Sequence, residues 1–254
     1  MRPFWLALGF LTTFPVPSLG EVRPGEMRAA SAFYPVAGYC IGGVLALAAW
    51  LTQPLPDGLQ GALLLAVWLG LTGMLHLDGL LDCADALLAM RPPEQRLKIL
   101  SDVHLGSFAF GVGFVHLLLK WQLLASGPSP WLLLCLPAVA RFALLVPMNL
   151  YPAARPEGLG ARSREGRLAP ALLFTLPALA LLPWSALAVL LTALLLARWA
   201  APRLGGGLSG DVYGALVEVG ENAGLLVGVW LLKACGDLSP RAVSRQLSAF
   251  SLQQ

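Results

Sequence analysis

Long apolar runs, separated by short polar or Pro/Gly-rich breaks, organise this chain. Ala32–Leu51, Gly61–His76, Gly106–Ala125 and Trp131–Tyr151 reach or approach the roughly 20 residues that cross a bilayer as a helix. Leu168–Pro183 and Ser185–Ala201 read as two closely joined apolar helices. Arg203–Glu221 reads as a Gly-rich polar loop, followed by a short apolar segment, Gly224–Cys235. Phe4–Phe14 is too short to span easily and reads as an interfacial or re-entrant helix. It has neither a basic leader region nor a small-residue cleavage site, so a cleaved signal peptide is not expected. The pattern predicts an all-α, polytopic integral membrane protein. It has about six to seven transmembrane helices plus the N-terminal interfacial or re-entrant helix. One membrane-embedded domain covers residues 1–254, with 237–254 as a flexible or interfacial tail. Gly38, Gly42 and Gly43 in the first span would allow close helix approach.

Composition strengthens the membrane reading: 57% of residues are apolar and 12% charged, and the mean hydropathy is +0.72. A net charge of +3 is too small to imply nucleic-acid binding. Cys40, Cys83, Cys135 and Cys235 lie scattered in apolar segments without metal-ligand spacing, which predicts reduced, packed thiols.

The basic residues carry topology instead. Arg2, Arg23 and Arg28, with segments 91–104, 155–167 and 198–203, hold 12 of the 17 Lys and Arg side chains. The alternate connections 52–60, 126–130 and 183–185 hold none. The positive-inside rule then places the N-terminus and the long polar loops in the cytoplasm. Trp121, Trp131, Trp184, Trp199 and Trp230 fall near predicted span ends, as an interfacial belt would.

The most unusual stretch is His76-Leu77-Asp78-Gly79-Leu80-Leu81-Asp82-Cys83-Ala84-Asp85. Only 14 acidic residues occur in 254, and three of them are here, directly after an apolar run. Acids at membrane depth are costly and mark function. Asp78, Asp82 and Asp85 stand at i, i+4 and i+7, which puts them on one face of a helix. Such like charges hold a proton or bind a cation. Oxygen-only ligands suit Mg²⁺ or Mn²⁺, and Mg²⁺ usually completes its shell with water and substrate phosphates. A solvated helix end or a proton relay would explain the same acids less well in apolar surroundings. Arg141, in the fourth predicted span, should pair with an acid or a substrate phosphate, or else snorkel to an interface.

Leu75–Asp85 resembles the HLDGxxDxxD signature of the cobalamin (5′-phosphate) synthase family, the adenosylcobinamide-GDP ribazoletransferases. Four further blocks, in order, resemble the same family: Phe10–Pro17 with Tyr34–Gly38, Leu100–Gly106, Glu157–Gly160, and Gly210–Ala215 followed by Glu218. Ala86 stands where the family often has Gly, and His104 where it commonly has Arg. The resemblance implies that adenosylcobinamide-GDP and α-ribazole, or its 5′-phosphate, give adenosylcobalamin (5′-phosphate) and GMP. Mg²⁺ is the implied cofactor, with Mn²⁺ as an alternative.

On this reading Asp78, Asp82 and Asp85 hold the metal on the pyrophosphate. Asp102 is a further ligand or supports one. His76, or one Asp of the cluster, accepts the hydroxyl proton; a packing role for His76 stays open. Arg141 and the segment from Arg155 to Arg167 contact phosphates. Gly210, Asp211 and Glu218 contact substrate, or cap and solvate a helix start. The expected setting is a bacterial inner membrane with the site facing the cytoplasm, in a homo-oligomer or a complex with other late cobalamin-pathway enzymes. Two other readings compete. A CDP-alcohol phosphotransferase would need Ala-Arg where Asp82 and Cys83 stand. An ion-coupled transporter would need acids near mid-bilayer and an internal repeat.

Overall fold

The structure, a computed structural model, describes residues 1–154 and 166–237. Helices make up the fold, and the only strand-like pairing among the described residues is an isolated bridge between Ala153 and Leu208. The short helix α1 (Arg2–Leu11) opens the chain and buries Leu6, Ala7, Leu8 and Leu11. It is moored through Arg2, whose guanidinium pairs with Glu26 at 2.7 Å and donates to the Leu19 carbonyl at 2.6 Å. Glu26 opens a short helix, α2 (Glu26–Ala30), which runs through a 3₁₀ turn into α3 (Tyr34–Leu51).

Five helical stretches among the described residues are long and apolar enough to cross a membrane. They are Glu26–Leu51, Ser107–Ala125, Pro130–Leu150, Pro183–Leu204 and Gly210–Ala234. A bent pair would make a sixth, and Leu168–Leu181 is a shorter apolar helix. That agrees with an all-α polytopic membrane protein. The stretch beginning at Pro130 is the most enclosed and comprises α8 (Pro130–Ala143) and α9 (Leu145–Leu150). Helix α3 crosses it closely because Gly38 and Gly42 carry no side chain. A Cβ on Gly38 would stand 2.5 Å from the Pro137 carbonyl oxygen, and one on Gly42 would strike the Leu134 carbonyl. Gly43, expected to share this role, faces open space.

The second predicted span is not continuous. Helix α4 (Asp57–Thr72) ends at Gly73, and the chain turns 91° before α5 (Leu75–Leu88) begins. Gly73 and Met74 both take left-handed backbone conformations, φ 56° and 58°, which no helix continues through. The acidic motif therefore occupies a helix of its own beyond the turn.

A short helix, α6 (Pro93–Ile99), follows, then α7 (Ser107–Ala125). Beyond the segment 155–165 come α10 (Leu168–Leu181) and α11 (Pro183–Ala200). The last element, α12 (Gly210–Asp237), runs 28 residues unbroken. This corrects the expected polar loop through Glu221, since residues 210–221 are helical. Glu218 and Glu221 look polar in sequence but are paired inside the bundle. The C-terminal tail beyond Asp237 lies outside the described residues. Cys40, Cys83 and Cys135 are free thiols. Trp131, Trp184 and Trp230 are all more than 60% exposed where α8 and α11 begin and α12 ends, as a belt requires.

Candidate active site

Helix α5 is wedged antiparallel against α12 and α7. Against α12, Gly79 meets the start of the helix: a Cβ there would lie 2.7 Å from the Asp211 carbonyl oxygen. One turn deeper, a Cβ on Gly214 would lie 3.0 Å from the His76 carbonyl oxygen. Against α7, Gly113 receives the Leu81 side chain, and Asp85 meets the amino end. The buried face of α5 includes His76, Leu77, Gly79, Leu80, Cys83, Ala84, Ala86 and Leu87. The stripe predicted from spacing survives on the other side: Asp78 is exposed, and Asp82 and Asp85 are half-buried.

The three carboxylates do different things. Both oxygens of Asp85 accept backbone hydrogen bonds, from Gly106 at 2.7 Å and from Ala109 at 3.0 Å. Asp82 lies near the buried Cys83 thiol, and so does the half-buried Asp211 from across the α5–α12 contact. Asp102 is in the exposed loop before α7. His104 Nδ1 lies 2.6 Å from its Oδ1, and the His104 backbone amide donates to it at 3.1 Å. Hydrogen bonds from His104 hold the Asp102 carboxyl below its ordinary range. Among the described residues, no three acids, histidines or cysteines converge as a metal-ligand group.

His76 is buried, with Nδ1 unpartnered, and Arg141, Glu218 and Lys120 lie within electrostatic reach. Arg141 and Glu218, expected to touch substrate, belong to one buried cluster inside the bundle. Glu218 Oε2 accepts from Lys120 Nζ at 2.8 Å and lies 2.8 Å from His116 Nε2. Glu221 accepts from Lys120 at 2.7 Å and pairs with Arg141, which also donates to the Pro137 carbonyl. Asn222 Nδ2 donates to the His116 carbonyl at 3.1 Å, and the Lys120 ammonium sits 4.3 Å from the Trp68 ring centroid. All these side chains are buried. Two acids against Lys and Arg make the cluster neutral, which is how charge survives burial. Lys120 lies about 20 Å along α7 from Ser107 and about 8 Å from the helix's other end, Ala125.

The sequence reading singled out Arg141 and Glu218 but missed Lys120, His116, Glu221 and Asn222. A signal was present. His116 and Lys120 stand at i, i+4 in one apolar run, and Glu218, Glu221 and Asn222 lie within i+4 in another.

At the mouth of the bundle, the turn before α12 is tied to the segment that precedes the basic loop. Ala154 donates to the Leu208 carbonyl and Leu208 to the Pro152 carbonyl, both at 2.9 Å. Gly207 permits this, since its Cβ would lie 2.7 Å from the Ala154 nitrogen. Gly210, exposed, and Asp211 follow directly. Arg155, Arg162 and Arg164 lie outside the described residues.

The acidic helix, clasped between α7 and the start of α12, is set in a chain with well-marked relatives. A family model described as cobalamin-5-phosphate synthase matches residues 3–229. A protein of Deinococcus radiodurans named adenosylcobinamide-GDP ribazoletransferase is 58% identical over 220 residues, covering 85% of this chain and 81% of that protein. Proteins of the same name from Desulfitobacterium hafniense and Pseudomonas entomophila are 40% and 41% identical. They cover 87% and 91% of this chain, and 94% and 100% of their own lengths. No solved structure matches. A family match through α1 to α12, including the acidic helix and both helices that clasp it, means that the chain belongs to the cobalamin-5-phosphate synthase family.

Proposed function

We propose that this protein is an adenosylcobinamide-GDP ribazoletransferase, which completes the nucleotide loop of cobalamin within a membrane. A hydroxyl of α-ribazole, or of its 5′-phosphate, attacks the cobinamide-linked phosphorus of adenosylcobinamide-GDP. A new oxygen–phosphorus bond forms, the pyrophosphate bridge breaks, GMP leaves, and the hydroxyl proton passes to a base. The observation that carries this reading is the outward acidic stripe of α5, braced against Asp211, in a chain of this family.

Asp82 and Asp211, both near the Cys83 thiol, with Asp78 on the same stripe of α5, carry hard oxygen donors of a chemistry that fits Mg²⁺, or Mn²⁺ in its place. With so few protein ligands, substrate phosphates and water would complete the shell. A bound ion would neutralise charge developing on the pyrophosphate. Asp78 and Asp82 face outward and can take the hydroxyl proton. His76 is buried, and its backbone seats α5 against Gly214 of α12. Gly210, with no side chain, lets a phosphate approach the start of α12, and the Arg155–Arg167 segment, which follows Ala154 in sequence, supplies cations. The site opens to the cytoplasm of a bacterial inner membrane, where soluble nucleotide substrates are made.

The transporter reading asks for acids deep in the bundle. Glu218 and Glu221 are there, yet both are held by fixed cations on neighbouring helices. The test is direct. Purified protein in lipid vesicles receives adenosylcobinamide-GDP, α-ribazole and Mg²⁺. Release of GMP with a matching corrinoid product is expected; absence of both overturns the proposal.

A further inference from the structure

We propose that Asp85, the third carboxylate of the motif, is the amino-terminal cap of α7 and a positioning residue for the acidic stripe, not a metal ligand. The inference rests on α5 being the substrate-facing helix. A helix leaves its first four N–H groups without internal partners, and a side chain at the preceding residue usually accepts one. In α7 that residue is Gly106, which has no side chain. Asp85 supplies the acceptor from another helix, with one oxygen on Gly106 N–H and the other on Ala109 N–H. An anion there is also favoured by the dipole of a 19-residue helix.

Gly106 is shaped for this use. Its backbone is extended (φ −90°, ψ 179°), a conformation open to any residue. Glycine is required for space: a Cβ would lie 2.5 Å from Asp85 Oδ1 and 2.8 Å from Cγ. The carboxylate is therefore seated in a cradle, and two charge-assisted bonds draw both its oxygens toward α7. With the Gly79–Asp211 contact on the other flank, this cap fixes how α5 presents Asp78 and Asp82.

Three measurements test the assignment. First, hydrogen–deuterium exchange on the wild-type protein in micelles follows the amides of Gly106 and Ala109. They should be protected without metal and unchanged by Mg²⁺. Loss of protection on adding Mg²⁺ would mean that the ion withdraws the carboxylate, and the proposal fails. Second, Asp85→Ala should lose turnover and unfold at a lower temperature. Adding Gly106→Asn places a strong capping residue at the helix's own N-cap position and should recover the unfolding temperature but not turnover, because the tie to α5 is still missing. A double variant as unstable as Asp85→Ala would mean that the lost cap is not what destabilises it, and overturns the idea. Should that variant not fold, the wild-type exchange result decides. Third, the Mg²⁺ concentration for half-maximal turnover of Asp85→Asn should rise by no more than about a hundredfold, the upper end for a residue that supports ligands without touching the ion. A larger rise would count against the cap. A protein with no transferase activity would sink the proposed function alone, because exchange and unfolding still read out the cap.

Discussion

Gly79 of α5 lies against the backbone of Asp211, whose carbonyl oxygen is 2.7 Å from the place a glycine Cβ would occupy. This contact sets the distance between the acidic helix and the start of α12, and so brings acids from two helices to one mouth. Gly79→Ala should force the helices apart. Overpacking of this kind costs about 1–3 kcal/mol. Both a lower unfolding temperature and a drop in GMP release are expected. A variant with wild-type values of both would show that the contact sets nothing.

Asp82→Asn keeps the shape of the side chain and removes its charge. Turnover should fall by about two orders of magnitude, the upper end for damage to a metal's surroundings. The unfolding temperature should stay close to wild type, because Asp82 is only half-buried. The paired measurement is GMP release and thermal unfolding in the same detergent; full turnover would remove Asp82 from the site.

Lys120 neutralises Glu218 and Glu221 where no water reaches. Lys120→Met leaves an uncompensated buried charge and should destabilise by about 3–5 kcal/mol. Lys120→Met with Glu218→Gln restores neutrality and should recover much of that loss, since a neutral replacement of a buried pair is often tolerated. Chemical unfolding of the single and double variants measures the difference. Equal stabilities would mean that the charges do not couple.

The Asp102–His104 contact makes a prediction about pH. Asp102 titrates below its ordinary range because His104 bonds to its ionised form. A depressed folded value means that the contact contributes above the unfolded carboxylate range and is lost as pH falls through the folded value. His104→Ala should therefore raise the Asp102 titration point toward the ordinary carboxylate range, with the backbone amides of residues 103 and 104 still holding part of the depression, read from its carboxyl carbon shift by NMR. No change would assign the depression to another cause.

Much of this protein was legible as sequence because the bilayer imposes a simple rule. Apolar runs must become helices long enough to cross, so the all-α class and nearly every span could be read from Ala32–Leu51 onward. The i, i+4, i+7 spacing likewise placed Asp78, Asp82 and Asp85 on one face, since helix periodicity is local.

The failures were non-local. Nothing in Gly73-Met74 announced a 91° turn, because an apolar run reads the same straight or bent. Residues 210–221 looked like a polar loop because their partners, Lys120 and Arg141, lie some 80 to 100 positions away and make a charged helix tolerable only once packed. The same holds at the site. Local sequence determined which residue types stand in the motif and at what spacing. Only tertiary packing decided that Asp85 faces the end of α7 while Asp78 and Asp82 face outward, because a carboxylate's role depends on which N–H groups or charges surround it in space.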